Sequence, residues 1–297
     1  MLTKSNRLPT FHLFIRISYH VLFISFSFWF YFNNSLIFAI IFALPNWIVF
    51  SFFGFTGLSH ELFHLTVFTS KKINIFLCYI FMLLVWENYS FFKVTHWKHH
   101  QITLDKNDPE PIFKGNINVF YLFQLITFDF KSFYNRIIIL IKNAFGIVPI
   151  NNIHFSKIEI NKIKLNSRLI LMYILFSFVF FLYFHLYPLI FLITLAPFFI
   201  TFFNKILAFA QHYGLKSIEK NDFYSNSRTV ILDIYWRFFY SSMNYHVEHH
   251  INPMIPYYNL HKFHRIIKEE KKHTNISIGW KNLISTLKES GLFLFKK

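Results

Sequence analysis

The chain alternates long stretches without a charged side chain and shorter ones crowded with lysine. Residues 17–60 contain no Asp, Glu, Lys or Arg. A membrane-crossing helix needs ~20 residues, so this stretch holds two, and the turn signal Asn33-Asn34-Ser35 divides it. The pattern predicts spans over 11–32 and 36–57. Residues 169–204 are equally free of charge, and His185-Leu186-Tyr187-Pro188 divides them into a second hairpin, with spans predicted over 167–186 and 188–209. One further apolar run, Ile73 to Trp86, covers only ~21 Å as a helix and falls short of a ~30 Å hydrocarbon core. It reads as an in-plane or re-entrant helix over 73–90. Residues 119–141 mix Phe and Ile with Asp129, Lys131 and Arg136, the pattern of an interfacial amphipathic helix.

The charges at the ends of these segments orient them. Lys4, Arg7, Lys71, Lys72, Lys162, Lys164, Arg168, Lys216 and Lys220 flank the spans, whereas neither outer turn carries Lys or Arg. The positive-inside rule places both termini and the segments 58–165 and 211–297 in the cytoplasm. No small-residue cleavage site follows the first span, which reads as an uncleaved anchor. The expectation is a single domain over 1–297: an all-α integral membrane protein with four transmembrane helices and a cytoplasmic helical cap.

Composition agrees. Of the 297 residues 54% are hydrophobic and 15% charged, against roughly 25% charged in soluble domains; mean hydropathy is +0.38. An ordinary soluble enzyme and a disordered chain are excluded. A single cysteine, Cys78, excludes an intrachain disulfide. The net charge of +16 is accounted for by membrane topology, so no nucleic-acid partner is implied, and no Gly-rich phosphate or dinucleotide fingerprint is present.

The sixteen histidines change the picture. His60-Glu-Leu-Phe-His64 is an HxxxH pair, and His96-Trp-Lys-His99-His100 and His246-Val-Glu-His249-His250 are two HxxHH triplets. At this histidine frequency roughly 0.05 such triplets arise by chance. Spacings of three and four put the imidazoles on one helical face. His212 sits where the fourth span is expected to exit, so nine histidines can converge on one membrane face. A catalytic zinc takes three protein ligands and a closed one four; nine therefore suggest two metals with four or five nitrogens each. Imidazole suits Zn, Cu, Fe and Ni, and of these iron brings redox chemistry with O2 to a lipid surface. His12, His20, His154, His185, His261, His264 and His273 lack ligand spacing or position. Because ligating imidazoles give their second N–H to a carboxylate or carbonyl, Glu61, Asp105, Asp108, Glu110 and Glu248 are candidates to stand behind the ligands, and Asn88 and Asn244 to touch metal-bound water. Glu87 reads as an interface charge, and Arg228 and Arg237 as candidates for a lipid head group.

From Gly57 to about His264 these motifs resemble the membrane fatty-acid desaturase family, the histidine-box di-iron desaturases, hydroxylases and ketolases. His60–His64 looks like the first box. Thr95–His100, trailed by Thr103, Asp105, Asp108, Pro109 and Glu110, looks like the second, and Asn244–His250, trailed by Pro253, Pro256, Tyr257, Tyr258, Leu260 and His264, like the third. Phe209–Gly214 with Ser227-Arg228-Thr229 resembles the region of the isolated ninth ligand, although Gln211 stands where many relatives carry an acid. The resemblance implies four transmembrane helices under a cytoplasmic cap, two irons, O2 as co-substrate and a lipid or acyl substrate. It also implies electrons from a separate carrier of the ferredoxin or cytochrome-b5 type. The leading expectation is introduction of a double bond into the acyl chain of a fatty acid or acyl lipid. The alternatives are hydroxylation or ketolation of a lipid or carotenoid and, from another class, a zinc-dependent membrane lipid hydrolase.

Overall fold

The computed structural model describes residues 4–110, 116–148, 153–216, 222–269 and 275–294; Lys220 and His273 lie outside them. Helix α1, Arg7–Phe32, and helix α2, Leu36–Phe50, form the first hairpin, turning at Asn34 in the left-handed region. Beyond α2 a 3-10 turn over Ser51–Phe53 leads into α3, Leu58–Phe63, and the whole stretch 36–63 is long and apolar enough to cross a membrane. Helix α4, Lys71–Leu84, is capped by Ser70 and followed by α5, Tyr89–Gln101, capped by Asn88; the two are bent by 107°. The apolar run 73–86 therefore turns back at Trp86, itself left-handed, rather than continuing.

The amphipathic stretch resolves into two helices, α6 (Val119–Ile126) and α7 (Phe130–Ala144), because Asp129 caps α7 through the Ser132 N–H. Helix α8, Lys157–Tyr183, starts ten residues before the predicted span, at a reciprocal Ser156–Glu159 capping box.

The predicted span over 188–209 is not one helix. It runs through α9 (Tyr187–Leu189), a π-helical turn over Ile190–Thr194, a 3-10 turn over Ala196–Phe198 and an extended Phe199 before α10, Phe202–His212. Pro188 and Pro197 remove backbone donors, and carbonyls of this irregular stretch find partners outside it: Leu192 accepts from Asn46 at 2.9 Å, Phe191 from the Trp47 indole at 2.9 Å, and Phe198 from the Asp129 N–H at 2.8 Å. Such satisfaction by neighbours lets an irregular backbone persist at membrane depth. Three helical stretches thus meet the length and apolarity of a span, or four if the bent α4–α5 pair counts as one.

After α10 come α11 (Phe223–Asn226), α12 (Ile234–Phe239), α13 (His246–Ile251), α14 (Tyr257–Glu269) and α15 (Gly279–Glu289). Strict all-α needs correction: β1 (Ile117–Asn118) pairs in parallel with β4 (Phe293–Leu294), and β2 (Thr229–Ile231) with β3 (Ile276–Ile278). These short pairs tie the C-terminal segment to the elements that carry histidines. Val230 donates to the Asn244 carbonyl and accepts from the Asn244 side chain, both at 2.8 Å, which fixes the entry to α13. A core of Val49, Phe52, Leu207, Ala210, Tyr240, Met243 and Leu283 joins α2, α10, α12 and α15 beneath the site.

Candidate metal centre

Each histidine motif occupies its own short helix. α3 presents His60 and ends at His64; α5 presents His96, His99 and His100; α10 ends at His212; α13 begins at His246 and carries His249 and His250. All are buried except the half-buried His100. Their ring nitrogens fall into two groups, His60, His64, His96, His100 and His249 in one and His99, His212, His246 and His250 in the other, each group within 4.8 Å. The division follows helix geometry. In each HxxHH triplet the i, i+4 pair shares one group, while the middle histidine, turned 100° from its neighbour, belongs to the other.

The Nε2 atoms converge. In the first group His64 and His96 are 3.0 Å apart, His96 and His100 3.0 Å, and His100 and His249 3.3 Å. In the second, His212 and His246 are 2.9 Å apart and His246 and His250 3.0 Å. Metal–nitrogen bonds of about 2.1 Å put adjacent ligands about 3.0 Å apart at octahedral angles and about 3.4 Å at tetrahedral ones. Four of the five separations match the octahedral value.

Outside the cluster three of the Nδ1 atoms meet close acceptors, whereas those of His64, His246 and His249 are buried without a hydrogen-bond partner among the described residues. His96 faces Glu110 at 2.6 Å, His99 faces Asp108 at 2.9 Å, and His212 donates to the Asn226 carbonyl at 2.8 Å. A carbonyl only accepts, so the His212 Nδ1 carries the proton and its Nε2 is a lone pair. That lone pair points at His246, whose Nε2 also faces His250; one proton cannot satisfy both contacts. His60 Nε2 is buried with no hydrogen-bond partner. Lone pairs turned inward on two points are what cations bound by imidazole require, and the donor set fits them. Burial holds the imidazoles of His64, His96, His100, His246, His249 and His250 well below 6.5 and that of His212 at about 3, keeping them neutral. At His99 burial is outweighed by Glu110 and Asp108, which raise it.

The residues expected behind the ligands divide. Glu61, fully buried, stands 3.2 Å from His60 Nδ1 and 3.5 Å from His249 Nδ1, and Asp108 and Glu110 stand as described. Asp105 does not join them: it is exposed and accepts from Asn107 N in its own turn. Glu248 turns away from its neighbours in the third box, accepting from Thr229 at 2.5 Å and His264 at 2.5 Å. Asn244 donates to β2 while its Oδ1 is buried without a partner among the described residues, and Asn88 donates to Ile163 and Ser167. Gln211 donates to Tyr240, and the acceptor for His212 Nδ1 is the Asn226 carbonyl. Two further expectations change. Glu87 is buried at the α4–α5 bend, 3.2 Å from Arg136 and accepting from Phe55 N at 2.6 Å, because two polar partners meet it inside. Arg228 spends its guanidinium on the last carbonyls of α10, Ala210 and Tyr213. His264, set aside as a ligand for its spacing, joins neither histidine group and braces Glu248 from α14; the Asn226 carbonyl carried no local signal.

Fold and site together define a membrane protein with a histidine-rich centre able to hold metal. The fatty acid desaturase family model matches residues 34–281, and the chain belongs to this family. No curated protein matches it.

Proposed function

We propose that the protein is an O2-dependent di-iron oxidoreductase that introduces a double bond into the acyl chain of a fatty acid or acyl lipid. His60, His64, His96, His100 and His249 hold one iron and His99, His212, His246 and His250 the other. The observation that carries this reading is the five-and-four division of nine converging nitrogens. A hydrolytic zinc would leave most of them without a task. Bound irons supply the activation of O2 needed for the overall conversion, in which a –CH2–CH2– unit, O2, two electrons and two protons give –CH=CH– and two waters.

The protein's own groups prepare the centre. Asp108, Glu110 and the Asn226 carbonyl hold Nδ1 protons outward, so that Nε2 lone pairs face the metals. Glu61 bridges the first and third boxes, and the Thr229–Glu248–His264 contacts fix α13 in rotation. Electrons come from a separate ferredoxin- or cytochrome-b5-type carrier, drawn to the basic cytoplasmic face by long-range attraction. Both termini lie on that face.

The test is lipid profiling by mass spectrometry in a bacterium that co-expresses a ferredoxin and its reductase, with His249→Ala as the control. A new unsaturated acyl chain made only by the parent supports the reading. A hydroxylated product reassigns the activity within the family, and one zinc per purified chain in place of two irons overturns it.

A further inference from the structure

Arg16 lies inside the first membrane-length helix, on a segment that precedes the matched family region. Ionisable side chains within such helices are rare and mark function by default. This one is 2% exposed. Its Nη1 donates to Ser241 Oγ at 2.8 Å and its Nη2 to the Phe238 carbonyl, while the guanidinium lies 4.7 Å over the Phe238 ring and 5.8 Å from that of Tyr257. No carboxylate pairs with it among the described residues. A head group is not its counter-charge either: the cavity beside it, shared with Leu13, Leu62, Phe81 and Tyr257, is ≈ 10 Å³, about the room of one water. Its compensation is internal, from the carbonyl end of α12 and two aromatic faces.

The partners explain the placement. Ser241 and Ser242 are both left-handed, at φ 52° and 55°, a conformation that costs non-glycine residues energy and persists only when surroundings impose it. This turn leads through Asn244 into α13, whose His249 belongs to one histidine group and whose His246 and His250 belong to the other. We propose that Arg16 is a positioning residue for the metal centre, a fork from the first membrane helix that locks the Ser241–Ser242 turn and thereby aims the third histidine box at both metals.

This rests on the di-iron reading above, so the test has one arm that needs no metal. In detergent-purified full-length protein, amide exchange over residues 241–246 is followed without metal, and iron loss to a chelator is followed in the loaded form. Arg16→Lys keeps the charge but cannot hold two acceptors in a fixed fork. Faster exchange is expected, with iron leaving about tenfold faster or more. Ser241→Ala, which removes only the hydroxyl, moves both in the same direction by less. Adding Ser242→Gly to Arg16→Lys relieves the left-handed strain and restores both towards the parent, which lost packing alone would not allow. Parental exchange in Arg16→Lys, or no rescue by Ser242→Gly, overturns the proposal. A parent that binds no iron overturns the di-iron reading, and the exchange arm still decides the clamp.

Discussion

His99 differs from the other eight converging imidazoles in having two acids within 4 Å, Asp108 at its Nδ1 and Glu110 3.8 Å from its Nε2. Its Nδ1 meets Asp108 at 2.9 Å, and Asp108 also accepts from Leu104 N at 3.0 Å, so the carboxylate is held in place. Asp108→Asn offers an amide in place of the full negative charge. Groups behind metal-bound histidines are worth about 10–100-fold in metal affinity, and a loss of that order, confined to one metal per chain, is expected in metal titrations. Acid has a definite sign as well. Where burial lowers an imidazole's pKa, the unfolded chain takes up protons below 6.5 that the folded chain refuses, so stability present above 6.5 is lost as pH falls. His99 and Glu110, both raised, act the other way, but the two stand against the seven lowered imidazoles. The melting temperature of the metal-free protein should therefore fall steadily from pH 7 to pH 5; a flat profile would contradict the buried, neutral cluster. At this scale the converging histidines were legible because spacing along a short helix is a local property. Asp105 and Asp108, three residues apart, were indistinguishable until the turn at 102–108 pointed one inward and left the other in solvent.

Among the elements, α3 depends on a glycine. A Cβ on Gly57 would overlap the Phe52 carbonyl oxygen, because the 3-10 turn at 51–53 folds directly against the start of the helix carrying His60. Gly57→Ala must push that turn away, at about 1–3 kcal/mol if it acts like overpacking in a core. The expected result is a lower melting temperature together with weaker binding at the five-histidine site, while the four-histidine site, which takes nothing from α3, changes less. Equal loss at both sites would show that α3 does not act separately. The sequence placed the helix breaks at Asn33–Ser35 and at 185–188, but it missed those at Asp129 and Pro197. It merged what tertiary contacts divide: the span over 188–209 looked continuous in hydropathy, yet Pro197 could break it only because Asn46, Trp47 and the Asp129 backbone were placed to take carbonyls of the irregular stretch.

For the whole molecule, the expected topology has both termini and the histidine cluster on the cytoplasmic side. Cys78, fully buried, leaves the protein nearly silent to thiol reagents, so single introduced cysteines report cleanly. Asn34→Cys and His185→Cys should react with an impermeant maleimide in intact cells, and Ser5→Cys and Lys288→Cys only after the membrane is opened. Reaction of Ser5→Cys in intact cells would reverse the orientation.

The sequence by itself determined the membrane class, the two hairpin turns, the family and the nine histidines, because hydropathy, turn residues and ligand spacing are written within one or two helical turns. The tertiary structure alone decided how the nine divide five to four, which acids and carbonyls stand behind them, and that Glu87, Arg228, His264 and Arg16 are internal braces rather than surface charges. The four braces depend on partners 15 to 225 residues away, and the energy of a buried polar group is set by whichever group the fold brings to meet it.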